Sequence, residues 1–202
     1  LSVNSVSILN KIGFDNLKLM DKFNPKKIDF YSLKNNNKIC ELNITQFNRQ
    51  DINYTTLKRS LLIEFLKEKL FTNSIQFNKK VEKINYSNSK VEITFENNAT
   101  NIFDYLVIAD GVFSLTKSIL LNDNIKPKYS GSLAIRATIK KENLRFLNEN
   151  NISLFLGPKI HLIAYAVNIK HELNLVAIIR KSLNDESFFN NKENIRQFVR
   201  EA

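Results

Sequence analysis

The sequence is poor in the residues that make cross-links and metal sites. One cysteine, Cys40, in 202 residues excludes an internal disulfide and a cysteine-based metal centre. Two histidines, His161 and His171, are too few for most zinc motifs, so no metal ligand is assigned. A reducing, cytoplasmic compartment is the expectation. The four glycines are too far apart to build a Gly-x-Gly-x-x-Gly turn. No apolar run reaches membrane-spanning length, and no signal peptide is visible at the start. Neither an internal repeat nor a Gly/Ser linker divides the chain. It opens on Leu1 and not on Met, as expected of a piece of a longer protein.

Charge of one sign is abundant. The formal net charge is +10, from 30 Lys and Arg against 20 Asp and Glu. Such a balance invites a nucleic-acid reading. The lysines, however, are spread along the chain, no basic block carries interleaved aromatics, and no nucleic-acid module is recognisable. The charge accompanies heavy use of Asn and Ile, as a drift of the whole composition produces, so no nucleic-acid partner is assigned. A basic binding module without a cofactor stands as the rival from a different class. The apolar content of 43% is that of a globular chain with a real core.

Periodicity places the elements. Apolar residues at Val3, Val6, Ile8, Leu9 and Ile12 have near-helical spacing, and Gly13 supplies a stop. "KIDFYSLKNNNKICELNI" predicts two short strands around an Asn-rich turn. "YTTLKRSLLIEFLKEKLF" is the strongest helix. Thr55 or Thr56 is expected as its N-cap, and Leu62, Phe65, Leu66 and Leu70 as its apolar stripe. "KKVEKINYS" and "KVEITFEN" alternate with period two and form a hairpin through "SNS". Tyr105 to Ala109 is apolar on both faces, the pattern of a central, covered strand. A helix over Val112 to Leu121 follows, and then the strands "SLAIRATIK", "ISLFLG", "IHLIAYAV" and "LNLVAIIR". A terminal helix is expected over Asn184–Ala202. The order predicts an α/β (mixed α+β) fold, with part of the later chain as a separate antiparallel sheet.

Asp110 and Gly111 close the run from Phe103, "FDYLVIADGVFSLTK". A strand ending in Asp-Gly turns sharply at the glycine and leaves a carboxylate at the sheet edge, where ligands of open α/β sheets gather. Such a carboxylate accepts hydrogen bonds from ribose or ribityl hydroxyls, and the next helix offers N–H groups to a phosphate. The same two residues also make an ordinary tight turn with an N-cap.

The longer string resembles the "D-hydrophobic-V-x-ADG-x-x-S-x-x-R" segment of the FAD-dependent aromatic monooxygenases, the class A flavoprotein hydroxylases of the hydroxybenzoate and salicylate hydroxylase type. Asp104, Ala109, Asp110, Gly111 and Ser114 match, and Lys117 stands for Arg. Three further stretches occur in the family's order. "LSVNSVSILNKIGF" is similar to its "LSPNAxxxLxxLGL" helix. "LKRSLLIEFL" is similar to "HRxDLxxxL", with Arg59, Leu62 and Leu66 matching. "YSGSLAIRATI" and "LFLGPKIHLIAYAVNIKHELNLVAII" are similar to "YxGxxAxRG" and "xxxGPxxHxxxYPVxxGxxxNxVA". Tyr129, Gly131, Ala134, Arg136, Gly157, Pro158, His161, Tyr165, Val167, Asn174, Val176 and Ala177 match there.

The resemblance implies a partial FAD-binding, Rossmann-like domain from residues 1–24 and 50–127. It implies an antiparallel substrate-binding sheet from residues 25–49 and 128–202. It implies FAD as cofactor, NAD(P)H as co-substrate, O₂, and a small aromatic substrate hydroxylated through a flavin C4a-hydroperoxide. Arg59, Asp110 and Gly111 are the cofactor-binding candidates. His161 and Tyr165 are the catalytic candidates, four apart and so on one face of a strand; an imidazole titrates near neutrality and suits deprotonation of a phenol. A polyprenyl-phenol hydroxylase or an epoxidase of the same superfamily is the nearer alternative. The family's opening Gly-rich turn and its later Gly-Asp segment are not in the sequence. The chain is therefore expected to be the central part of a longer enzyme, inactive alone, with no integral membrane segment.

Overall fold

The computed structural model describes residues 1–71, 74–122, 127–140, 147–170, 172–180, 193 and 196. Two compact units are present, Leu1–Leu70 with Gly131–Ala202, and Phe71–Ser130. In chain order the first unit begins with α1 (Val3–Asn10), β1 (Lys22–Phe23), β2 (Lys27–Ser32), β3 (Lys38–Asn43), β4 (Thr56–Leu57) and α2 (Arg59–Glu68). The second unit holds β5 (Val81–Ser87), β6 (Lys90–Phe95), β7 (Thr100–Phe103) and α3 (Leu115–Leu121). The chain returns to the first unit with β8 (Ser132–Ile139), β9 (Ile152–Leu156), β10 (Ile160–Ala166) and β11 (Leu173–Arg180). The fold is thus mixed α/β with several antiparallel sheets. The segments 1–24 and 50–70 lie in the same unit as the largest sheet.

That sheet has six strands in the order β3-β2-β9-β10-β11-β8. Every pairing is antiparallel except β2 with β9, which run parallel in the register Ile28↔Ile152 to Ser32↔Leu156. The β2–β3 connection uses Asn36 at φ 57, a conformation Asn tolerates better than most residues. Asp29 on β2 is 2% exposed. Its carboxylate accepts from Asn151 Nδ2 at 2.7 Å and pairs with Lys38 Nζ at 2.8 Å, so the buried charge is compensated. The two hydrogen-bonded carboxylates of Asp29 and Glu41 hold Lys38 well above the usual lysine range.

A second core joins the helices of this unit. Val6, Phe14 and Phe65 are buried together, with Leu1, Leu9, Leu17, Ile52, Leu57 and Leu62 packed around them. Phe14 and Phe65 meet edge to face, ring centroids 5.5 Å apart. Of the stripe expected on α2, Phe65 is buried and Leu62 partly so. Leu66 and Leu70 are exposed, since the apolar face used is narrower than the periodicity.

In the second unit, β5, β6 and β7 form an antiparallel sheet over Val91, Ile93 and Phe95. Asn88 and Ser89 have φ 49 and 59, the two consecutive left-handed residues of a tight hairpin turn. Tyr105 to Ala109, expected as a covered strand, is not a strand, and Tyr105 and Val107 are 89% and 85% exposed. A strand needs a neighbour to pair its backbone, and none of the described strands pairs with this segment. The helix expected from Val112 starts only at Leu115.

Of the helix expected over Asn184–Ala202, only Glu193 and Arg196 are described, both helical. The rest, like His171, lies outside the described residues. Among the described residues no helix is long and apolar enough to cross a membrane.

Candidate functional site

The first unit contains a cavity of about 450 Å³, lined by Leu1, Ile28, Tyr54, Thr56, Leu57, Lys58, Arg59, Leu62, Ile152, Leu154, Ile163 and Tyr165. Five of these come from one face of the six-stranded sheet. Ile28 stands opposite Ile152, Leu154 stands opposite Ile163, and residues two apart on a strand share a face. That row supplies an apolar wall ending in the Tyr165 phenol. β4 and the first turn of α2 supply the other wall.

A buried bond sets that second wall. Thr56 was expected to cap α2; its hydroxyl instead donates to the Ala166 carbonyl on β10 at 2.6 Å. The N-cap is Lys58, with no side-chain cap bond. Arg59 is therefore the first residue of α2. Lys58 is held by Glu172, 2.7 Å away, while Arg59 has no ion-pair partner among the described residues. The Lys58 ammonium, and after it the Asn168 amide, hold the Glu172 carboxyl below the usual range. Of the two adjacent cations, Arg59 thus keeps its planar donor fork free for an anionic or polarised oxygen.

Tyr165 is half-buried, and its hydroxyl accepts from Asn174 Nδ2 at 2.8 Å. The structure brings Arg59 and Tyr165, predicted separately as a cofactor contact and a catalytic residue, to one cavity. His161 does not line it. His161 lies on β10 opposite Leu156 and Ile178. It is on the Tyr165 face, about 13 Å along the strand at roughly 3.3 Å per residue. Asn174, matched in the resemblance but given no role, is the residue sequence reasoning missed; only the strand register shows it facing Tyr165.

Asp110 and Gly111 belong to the second unit. Gly111 has φ 89, and a Cβ there would meet nothing within 4 Å, so the glycine answers a backbone requirement and not a lack of room. The Asp110 carboxylate accepts from the Ser114 hydroxyl and from Thr116 N at 3.3 Å. The Ser114 hydroxyl accepts in turn from Lys117 N at 2.9 Å. Two of the N–H groups expected to face a phosphate, those of Thr116 and Lys117, are thus already bonded to side chains. The bond from Ser114, and then that from Thr116, hold the Asp110 carboxyl below the ordinary range. Asp110 remains an exposed, ionised acceptor whose two oxygens have further lone pairs for hydroxyl donors. No cluster of three metal-binding side chains occurs among the described residues.

No family model matches the chain. Over 110 residues it is 29% identical to 3-hydroxybenzoate 6-hydroxylase 2 of Aquipseudomonas alcaligenes, covering 54% of this chain and 34% of that protein. Over 83 residues it is 31% identical to an FAD-dependent monooxygenase of Beauveria bassiana, covering 37% of this chain and 19% of that protein. Its fold is similar to that of 2,6-dihydroxypyridine-3-hydroxylase from Arthrobacter nicotinovorans, with TM-score 0.78 and 16% identity over 100% of this chain and 55% of that one. It is also similar to a salicylate hydroxylase substrate complex, with TM-score 0.73 and 18% identity over 92% of this chain and 48% of that one. HpxO of Klebsiella pneumoniae, complexed with FAD and uric acid, gives TM-score 0.74 at 14% identity, over 92% and 48% of the two chains. The matches thus span about half of these solved chains and 34% and 19% of the two curated relatives.

Proposed function

From its kinship in sequence and fold with the FAD-dependent aromatic hydroxylases, we propose that the protein is a flavin monooxygenase acting on a small aromatic acid or phenol. NAD(P)H is its reductant and O₂ its oxidant. The observation that carries this reading is the convergence of Arg59 and Tyr165 on one apolar-walled cavity. The donor set fits a flat, partly anionic group: an apolar sheet face, a guanidinium free of ion pairing among the described residues, and a phenol.

FAD, when bound, supplies the oxygen-activating redox chemistry that these side chains lack. The chain's own residues bind, orient and exclude water. Arg59 is assigned to the cofactor, and its fork favours ionised oxygen. Asp110 is assigned to cofactor hydroxyls, and Gly111 to the backbone turn that presents it. Tyr165 is assigned to the oxygen substituent of the substrate; His161, outside the cavity lining and about 13 Å away along the strand, is assigned no step at that oxygen. Ile28, Ile152, Leu154 and Ile163 keep the reacting ring dry, which strengthens each polar contact.

The test is made on purified full-length protein. It is expected to show a flavin absorbance spectrum and to oxidise NAD(P)H faster when 3-hydroxybenzoate or salicylate is added. A folded, colourless protein that takes up no added FAD would exclude this reading.

A further inference from the structure

Asn174 stands directly across from Tyr165 in the β10–β11 register and donates its amide Nδ2 to the Tyr165 hydroxyl at 2.8 Å. A phenol hydroxyl has one hydrogen and two acceptor lone pairs. With Asn174 on a lone pair, the hydrogen is left for another partner. Tyr165 lines the cavity, and Asn174 is not among its described lining residues, so the hydrogen is available to a ligand there.

We infer that Asn174 is a positioning residue that fixes Tyr165 as a hydrogen-bond donor toward the cavity, which thereby selects a ligand oxygen in its ionised, accepting form. The inference rests on the proposed function. The rest of the lining points the same way. No described lining residue carries a carboxylate. The Thr56 hydroxyl spends its hydrogen on the Ala166 carbonyl and acts inside the fold. A neutral alcohol oxygen accepts the same hydrogen without a charge and so gains less from it than an ionised oxygen does.

Isothermal titration of the full-length protein with benzoate and with benzyl alcohol tests this, without relying on a flavin signal. Benzoate is expected to bind at least about tenfold more tightly, the scale of one hydrogen bond to a charged group. Tyr165→Phe should remove about tenfold of the benzoate affinity and leave benzyl alcohol nearly unchanged. Asn174→Leu should weaken benzoate by about three- to tenfold in the parent and by nothing further in the Tyr165→Phe background. A merely structural role for Asn174 would weaken binding equally in both backgrounds, and that additivity would overturn the inference. So would unchanged benzoate affinity in Asn174→Leu, or equal affinity for the two probes. Thermal unfolding checks each variant, and Asn174→Ser carries the cycle if Asn174→Leu does not fold. A protein that binds FAD but neither probe would overturn the substrate reading itself. Benzoate binding with additive losses would overturn only the role of Asn174.

Discussion

Thr56 Oγ1 donates to the Ala166 carbonyl at 2.6 Å, a buried bond between residues 110 apart in sequence. Arg59 follows three residues after Thr56, and Tyr165 immediately precedes Ala166. One bond therefore ties together the two chain segments that bring a cation and a phenol to the same cavity. Thr56 is 6% exposed, so water offers no easy substitute for the lost donor.

Thr56→Val keeps the shape and deletes the donor. It leaves the Ala166 carbonyl short of a partner, at an expected cost of about 1–3 kcal/mol. Thr56→Ser should retain most of the stability. Urea unfolding of the three proteins measures the difference. A valine variant as stable as the parent would show that this bond contributes nothing net.

Gly111→Ala isolates a backbone effect. At φ 89, with open space around the position, an added methyl group meets no neighbour but forces a left-handed conformation that costs about 1–2 kcal/mol in an L-residue. The expected result is a lower melting temperature for the second unit, read from its amide hydrogen exchange. Unchanged protection in β5–β7 and α3 would mean that the turn relaxes without strain.

Arg59 is exposed and lies at the first position of α2, so its replacement should spare the fold. Arg59→Ala is expected to weaken FAD retention by about tenfold to a hundredfold, the range for hydrogen bonds to charged groups. Arg59→Lys should recover only part, because the ammonium lacks the planar fork. Flavin fluorescence on titration with FAD measures both. Parent-like affinity in Arg59→Ala would reduce this residue to a solvated helix charge.

Much of the fold was legible because it rests on local rules. The turns at Asn36 and Asn88–Ser89 follow from the tolerance of short polar residues for positive φ, and the β5–β6 hairpin follows from alternation. What escaped depends on distant partners. Thr55 and Thr56 read as caps, yet Thr56 bonds a carbonyl 110 residues away, which no local pattern encodes. Tyr105 to Ala109 has strand composition, but composition supplies no neighbouring strand to pair with. The parallel pairing of β2 with β9 joins segments more than a hundred residues apart, so the row from Ile28 to Tyr165 was invisible. Arg59 and Tyr165 were each found by resemblance; that they share a cavity came from the register.

The Asp110–Ser114 bond carries a pH dependence with a defined sign. A free aspartate titrates at about 3.9, and the bonds from Ser114 and then Thr116 favour the ionised form and lower that value. A carboxyl with a depressed folded-state pKa stabilises the native turn above the free value, and that contribution is lost as pH falls through the folded-state pKa. In Ser114→Ala the principal donor is gone, so the Asp110 carboxyl should titrate nearer the free value, and the α3 turn should loosen at a higher pH than in the parent. The Ser114 hydroxyl also caps Lys117 N, so Ser114→Ala alone mixes two effects. Asp110→Asn, which cannot ionise, should leave that cap in place while removing the pH dependence. Carboxyl-carbon NMR titration of Asp110 between pH 2 and 6 measures the shift (roughly the window in which free and perturbed aspartates titrate). Amide exchange at Thr116 and Lys117 follows the turn over the same range. An Asp110 that titrates at the free value in the parent protein would show that the Ser114 bond is not maintained in solution, and the account of this turn as a capped, ionised acceptor would fail.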